Sequence, residues 1–184
     1  MRIVILISGR GSNMDALLEA ASGTAITVTL VAANQPCEGL KRAAAAGFPT
    51  ALMSRSDYDS KQAHEAALSE VLQRAAPDWI FLAGYMALLS AEFIACQHHK
   101  IINIHPSLLP AYKGLNTHRR VLENNETKTG CTVHYVNQEM DGGKIILQRE
   151  VEISAEDTET TVSKKVLKEE HIIYPEAIKL VLTK

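Results

Sequence analysis

Arg2-Ile3-Val4-Ile5-Leu6-Ile7-Ser8-Gly9-Arg10-Gly11-Ser12-Asn13 passes from an unbroken aliphatic run into a polar turn with two glycines. A strand that is apolar at every position is buried on both faces, which is the habit of parallel sheets. Met14 to Ala20 follows at helical spacing, so the segment reads strand, turn, helix. That arrangement aims backbone N–H groups and a helix N-terminus at an anion. Ser12 or Asn13 suits the N-cap, and both can also donate to a phosphate oxygen. The turn is not a full dinucleotide fingerprint, because Met14 takes the place of the third glycine and Asn34, not an acid, ends the next strand. It lacks the Gly-Lys-Ser/Thr of a Walker loop as well. Two readings stand, a tight structural turn and a monophosphate cradle, and its place in the first βα connection favours the cradle.

Moving outward, Ile26 to Ala33 reads as a second strand that ends at Asn34-Gln35-Pro36. Leu40 to Ala46 is a strong helix former closed by Gly47, and Thr50 to Met53 is a short third strand. Ser56 or Asp57 opens a helix that runs to about Ala76. Ala63, Ala67, Val71 and Ala75 share one of its faces, and Lys61, Glu65, Glu70 and Arg74 read as a solvated one. Pro77-Asp78 stops the helix, and Trp79 to Ala83 is the fourth strand. Gly84-Tyr85-Met86-Ala87-Leu88-Leu89 continues with apolar character, as a buried connection or as the apolar wall of a pocket for a flat ligand. Ser90 to Gln97 is a short helix. Four βα units without repeat or linker predict an α/β fold: one doubly wound, mostly parallel sheet with helices on both faces. Beyond them, Lys128 to Val136 and Lys144 to Val151 form a C-terminal antiparallel strand pair, and Glu156 to Lys184 a terminal helix interrupted at Pro175.

After Lys100-Ile101-Ile102 comes Asn103-Ile104-His105-Pro106-Ser107-Leu108-Leu109-Pro110. Strand side chains alternate faces, so Asn103 and His105 point the same way. Pro106 removes a ladder donor, and the strand should end at His105. An amide that cannot titrate then stands beside an imidazole that can, where a strand gives way to a loop. Such a pair suits holding a developing oxyanion and managing a proton. The loop Asn137 to Gly143 carries Asp141 beside two glycines, which fits either a local Asx-turn or a functional loop.

The chain has 184 residues, enough for one domain with a real core, and its 46% hydrophobic and 22% charged content is ordinary. A net charge of −2 offers no attraction to nucleic acid or membrane. No apolar run approaches the ~20 residues of a membrane helix. The apolar start runs into a glycine turn without a cleavage pattern, which argues for a first strand over a signal peptide. Cys37, Cys96 and Cys131 are odd in number and form no CxxC, so free thiols in a reducing cytoplasm are expected. His98-His99 near Cys96 makes a poor metal site, because adjacent helical side chains diverge by about 100°; no metal is expected.

Three motifs in the same order, Ser8-Gly9-x-Gly11-Ser12-Asn13, Asn103-x-His105-Pro106-Ser107-Leu108-Leu109-Pro110 and Met140-Asp141-Gly142-Gly143, closely resemble those of the phosphoribosylglycinamide formyltransferase family. The resemblance covers nearly the whole chain. It implies a Rossmann-like formyltransferase fold in a single domain, 1–184. Residues 1–100 would form the ribonucleotide-phosphate half and 101–184 the catalytic and folate-binding half. It further implies formyl transfer from 10-formyltetrahydrofolate to the amine of glycinamide ribonucleotide in purine biosynthesis. The catalytic residues would be Asn103 and His105 on the oxyanion, with Asp141 beside His105 assisting proton transfer through a water. Gly11, Ser12 and Asn13 would hold the phosphate, and Glu170 the ribose. Lys61, Met86, Ala87, Leu88, Leu89, Gln138, Glu139 and Met140, with Asn103 and Asp141, would bind the folate. Its partners would be these two small molecules, in a monomer or homodimer.

This chain departs from the family pattern at three places. Lys61 stands where an arginine is common, which keeps the charge but loses the bidentate fork. Ala87 stands where a basic residue is common, and Asn116 replaces a frequent histidine while His118 is retained. The rivals are a formyltetrahydrofolate deformylase, which normally carries an N-terminal regulatory domain, and methionyl-tRNA formyltransferase, which has a further basic domain. A third is an inactive phosphate-binding module of the same fold.

Overall fold

The structure is a computed structural model that describes residues 1–97 and 100–182. The His98-His99 pair therefore lies outside the described residues. Among those described, no group of three or more His, Cys, Asp or Glu could hold a metal, and no helix is long and apolar enough to cross a membrane.

In chain order the elements are β1 (Arg2–Ile7), α1 (Ser12–Ala21), β2 (Thr27–Ala33), α2 (Glu38–Ala45), β3 (Thr50–Leu52), α3 (Lys61–Ala75) and β4 (Trp79–Leu82). They continue as α4 (Ala91–Cys96), β5 (Ile101–His105), α5 (Thr117–Glu123), β6 (Lys128–Tyr135), β7 (Ile145–Glu152) and α6 (Glu159–Leu182). One seven-stranded sheet has the order β3-β2-β1-β4-β5-β6-β7. β1 runs parallel to both β2 and β4, β2 runs parallel to β3, and β6 with β7 is antiparallel. This is the mostly parallel α/β architecture with a C-terminal antiparallel pair that the patterning predicts. The chain forms two compact units, Met1–Ile102 and Asn103–Lys184.

In the first unit, Ile3 to Ile7 are completely buried, as an all-apolar central strand requires. The strand order reverses at β1: β2 and β3 lie to one side and β4 to the other. Ligands in open α/β sheets bind beyond the strand ends at such a reversal. Two local readings need correction. The N-cap of α1 is neither Ser12 nor Asn13 but Gly11, in the left-handed region at φ 78°. The turn demands that conformation, and a Cβ at Gly11 would sit 3.0 Å from Gly39 Cα. Likewise α3 starts at Lys61, capped by Ser60, whose hydroxyl accepts from Ala63 N at 3.0 Å, while Arg55–Asp57 is a separate 3-10 turn. Its buried face is His64, Glu65, Leu68 and Leu72, whereas Ala63 is exposed. Both stripes share the helical period, and the larger leucines win the core because they remove more apolar area from water. Glu65 is thus no member of a solvated face; it is buried and accepts a hydrogen bond from Ser90 N at 2.8 Å.

In the second unit α6 packs over β6 and β7. Pro175 does not interrupt it: the helix runs unbroken from Glu159 to Leu182. Ile173, Tyr174, Ala177 and Ile178 on either side of the proline are almost wholly buried. That packing outweighs the lost backbone donor, about 3 kcal/mol in a helix interior. The β6–β7 register shifts between Val133 and His134. Irregularities of this kind re-aim the side chain that follows them.

Candidate active site

β5 stops at His105, before Pro106, and Asn103 and His105 project from the same face. The His105 ring is buried and meets an oxygen at each nitrogen. Nε2 donates to Tyr112 O at 3.0 Å, and Nδ1 lies 3.4 Å from Asp141 Oδ2. Because a carbonyl only accepts, Nε2 carries a proton, and Nδ1 faces the carboxylate by the longer of the two contacts.

Asp141 is held in place and is not merely closing a local turn. Its Oδ2 accepts from Gly114 N at 2.9 Å, across the chain from the loop before α5. It adopts φ 50°, a left-handed conformation that aspartate tolerates better than most residues. Lys113 Nζ and Glu139 Oε1, 2.6 Å apart, join the same two loops. Gly143 is required beside it, because a Cβ there would meet Tyr135 O at 1.6 Å.

His134 belongs to the same cluster, and sequence reasoning passed over it. Its Nδ1 donates to Tyr135 O at 2.9 Å. A carbonyl only accepts, so Nε2 presents its lone pair, and Asn103 Nδ2 donates to it at 3.3 Å. Asp141 Oδ1 lies 3.6 Å from that same Nε2. Burial pushes the His134 pKa down, against the backbone hydrogen bond and Asp141, which favour the charged ring. The neutral ring thereby fixes how the Asn103 amide is turned. The available signal was a histidine two residues after Thr132, which places two polar side chains on one face of the strand from Cys131 to Tyr135.

The segment from Pro106 to Tyr112 curls back to deliver the Tyr112 carbonyl to His105. Thr132, completely buried on β6, donates to Ser107 O at 2.6 Å and accepts from Leu109 N at 3.0 Å. Gln148 Nε2 donates to both Thr132 Oγ1 and Leu109 O. Ser107 Oγ closes the curl on Ala111 O at 2.7 Å. Tyr112 itself sits at φ 56°, a strained position for a bulky side chain. Its hydroxyl on Glu126 (2.6 Å) and the Arg120 guanidinium over its ring hold it there.

The remaining predicted residues are placed as follows. Gly11, Ser12 and Asn13 form the turn and first residues of α1, with Asn13 buried. Ser8 Oγ donates to Asn34 Oδ1 at 2.6 Å and accepts from Met86 N at 2.8 Å. The glycine turn and the 84–89 segment are therefore neighbours at the sheet's reversal point. In that segment Met86 and Leu88 are exposed at 70% and 65%, Ala87 is half-buried, and Leu89 belongs to the core. Lys61 lies 3.9 Å from Glu65. Gln138, Glu139 and Met140 are exposed on the Asp141 loop, and Glu170 is buried on α6. Cys131 is buried, and burial pushes its thiol up to about 12, which leaves it inert at neutral pH.

Around the end of β5 a half-buried amide, two buried imidazoles and a carboxylate are gathered, groups able to hold an oxyanion and to move a proton. The profile of the formyl transferase family matches residues 1–178. The phosphoribosylglycinamide formyltransferase of Escherichia coli is 43% identical over 178 residues, 95% of this chain and 84% of that one. The trifunctional purine biosynthetic protein adenosine-3 of Bos taurus is 42% identical over 183 residues, but the chain spans only 18% of its length. The crystal structure of glycinamide ribonucleotide transformylase 1 from Symbiobacterium toebii superposes with a TM-score of 0.94 at 41% identity, covering 98% of this chain and 87% of that one. The chain belongs to the formyl transferase family.

Proposed function

We propose that the chain transfers the formyl group of 10-formyltetrahydrofolate to the amine of glycinamide ribonucleotide, a step of purine biosynthesis. The relatives named for this reaction support the reading, and the observation that carries it is the cluster in which the buried rings of His105 and His134 meet Asn103 and Asp141. The amine attacks the formyl carbon, the carbonyl oxygen becomes an oxyanion, and the bond from carbon to the folate nitrogen then breaks. Asn103 donates its amide N–H to the oxyanion, and His105, when protonated at both nitrogens, donates from Nδ1 as its contact with Asp141 opens. Asp141 accepts the proton leaving the amine, through a water, and that proton ends on the departing folate nitrogen. In this reading Gly11, Ser12 and Asn13 hold the phosphate, and Glu170 holds the ribose. Lys61 and residues 86–89, with Gln138, Glu139 and Met140, contact the folate. Residues 1–100 then serve chiefly the ribonucleotide, and 101–184 the chemistry.

The test is to supply 10-formyltetrahydrofolate with and without glycinamide ribonucleotide. Tetrahydrofolate released only in the presence of the acceptor supports transfer. Equal release by water alone makes the chain a deformylase instead.

A further inference from the structure

We infer that Gln35, Gly39 and Arg42, on the segment joining β2 to α2 and along α2, are positioning residues that turn the amides of the Ser8–Gly11 loop toward the substrate phosphate. The inference rests on the reading of residues 11–13 as the phosphate anchor. Three successive carbonyls of the loop are each taken by one of these residues. Gln35 Nε2 donates to Ser8 O at 2.6 Å, Gly39 N donates to Gly9 O at 3.1 Å, and Arg42 Nη2 donates to Arg10 O. A trans peptide points its N–H opposite to its C=O. With the carbonyls of Ser8, Gly9 and Arg10 drawn toward α2, the N–H groups of Gly9, Arg10 and Gly11 are directed away from it. Gly11, at φ 78°, then leads into the first turn of α1, so the loop amides and the helix start form one concave run of donors.

A glycine-rich turn left to itself samples many peptide orientations, and a ligand must then supply the free energy of ordering it. Here the ordering is already done by the second βα connection. The approach is backbone on backbone, which explains the glycine at 39: a Cβ there would lie 2.9 Å from Gly9 O and 3.1 Å from Arg10 O. Arg42 is anchored in turn by Asp15 Oδ2 at 2.6 Å, on α1 itself. Gln35 and Arg42 are both exposed, so neither serves the core. Arg42 also lends positive charge, whereas Gln35 lends none, and Gln35 therefore isolates orientation from electrostatics.

The experiment uses the full chain and variants Gln35→Leu, Arg42→Leu and Arg42→Lys. Amide spectra are titrated with inorganic phosphate, and steady-state kinetics are run with both substrates. In the unaltered protein, phosphate should shift the amides of residues 9–13. In Gln35→Leu and Arg42→Leu the phosphate midpoint and the KM for the ribonucleotide should each rise about tenfold, the loss expected for one strong hydrogen bond. The folate KM and kcat should stay within about twofold, and Arg42→Lys should recover only part of the effect. Unchanged phosphate midpoints in both leucine variants, with a responsive wild-type loop, would overturn the positioning role and leave the phosphate reading intact. A wild-type loop that ignores both phosphate and ribonucleotide overturns that reading, and this inference with it.

Discussion

The residues of the proposed site differ in how they are held. Asn103 gives one amide hydrogen to His134 Nε2, and in the proposed mechanism the other meets the oxyanion. Removing that donor in Asn103→Ala, or the acceptor in Asp141→Asn, should each lower kcat by about 10²–10³ with the circular dichroism spectrum unchanged. Near-wild-type turnover in either variant would refute the assignment. In the proposed mechanism His134 acts through Asn103, to which it is hydrogen-bonded, and not on the substrate. His134→Gln should therefore reduce kcat by about 10–10² while leaving the KM for the ribonucleotide within twofold, because a misdirected amide costs transition-state stabilisation. Equal effects on KM and kcat would argue that His134 touches substrate. Asn103, His105 and Asp141 were legible in the sequence through spacing and motif. His134 was not, because a single buried histidine in a strand has no local partner that betrays it.

At the scale of elements, the segment after β5 is fastened from β6 and β7. Thr132 satisfies Ser107 O and Leu109 N at once, and Gln148 reinforces it. Thr132→Val keeps the shape but strands these buried groups. It should cost about 2–3 kcal/mol, read as a lower denaturant midpoint at unchanged slope. Thr132→Ser should restore most of it, and no difference between the two would remove the hydroxyl from the account. The sequence located these strands to within a residue or two but misjudged faces and ends. α3 was legible as a helix, yet which stripe it buries depended on Leu68 and Leu72 finding the sheet. α6 was legible too, yet its passage through Pro175 depended on packing around Tyr174.

For the molecule as a whole, histidines whose charged form is disfavoured by burial or partial burial set a pH dependence. Burial lowers the pKa of His134, and burial followed by the His105 charge lowers that of His118, against a raising influence of Glu159. Unfolded histidine titrates near 6.5. Below that value the unfolded chain takes up protons that the folded chain resists, so stability falls as pH drops from about 6.5 through the lower folded values and is level above it. Urea midpoints at about pH 8.5 and 7.5 should agree and that at about pH 5.5 should be lower, and His134→Gln should flatten part of the decline. A midpoint that rises on acidification contradicts this.

The sequence alone determined the alternation of strands and helices, the glycine turn at the first βα connection and the pairing of Asn103 with His105. Each follows from residues within a few positions of one another, where backbone period and proline or glycine punctuation dominate. The resemblance anticipated Asp141 beside His105, as the 3.4 Å contact shows, whereas tertiary structure alone decided that His134 turns Asn103, that Glu65 is buried and that α2 orders the glycine turn. Those outcomes depend on hydrogen bonds and packing between residues 20 to 80 positions apart, such as Ser8 with Met86 and Asn103 with His134. No local periodicity encodes them, because the chain must close before the partners meet.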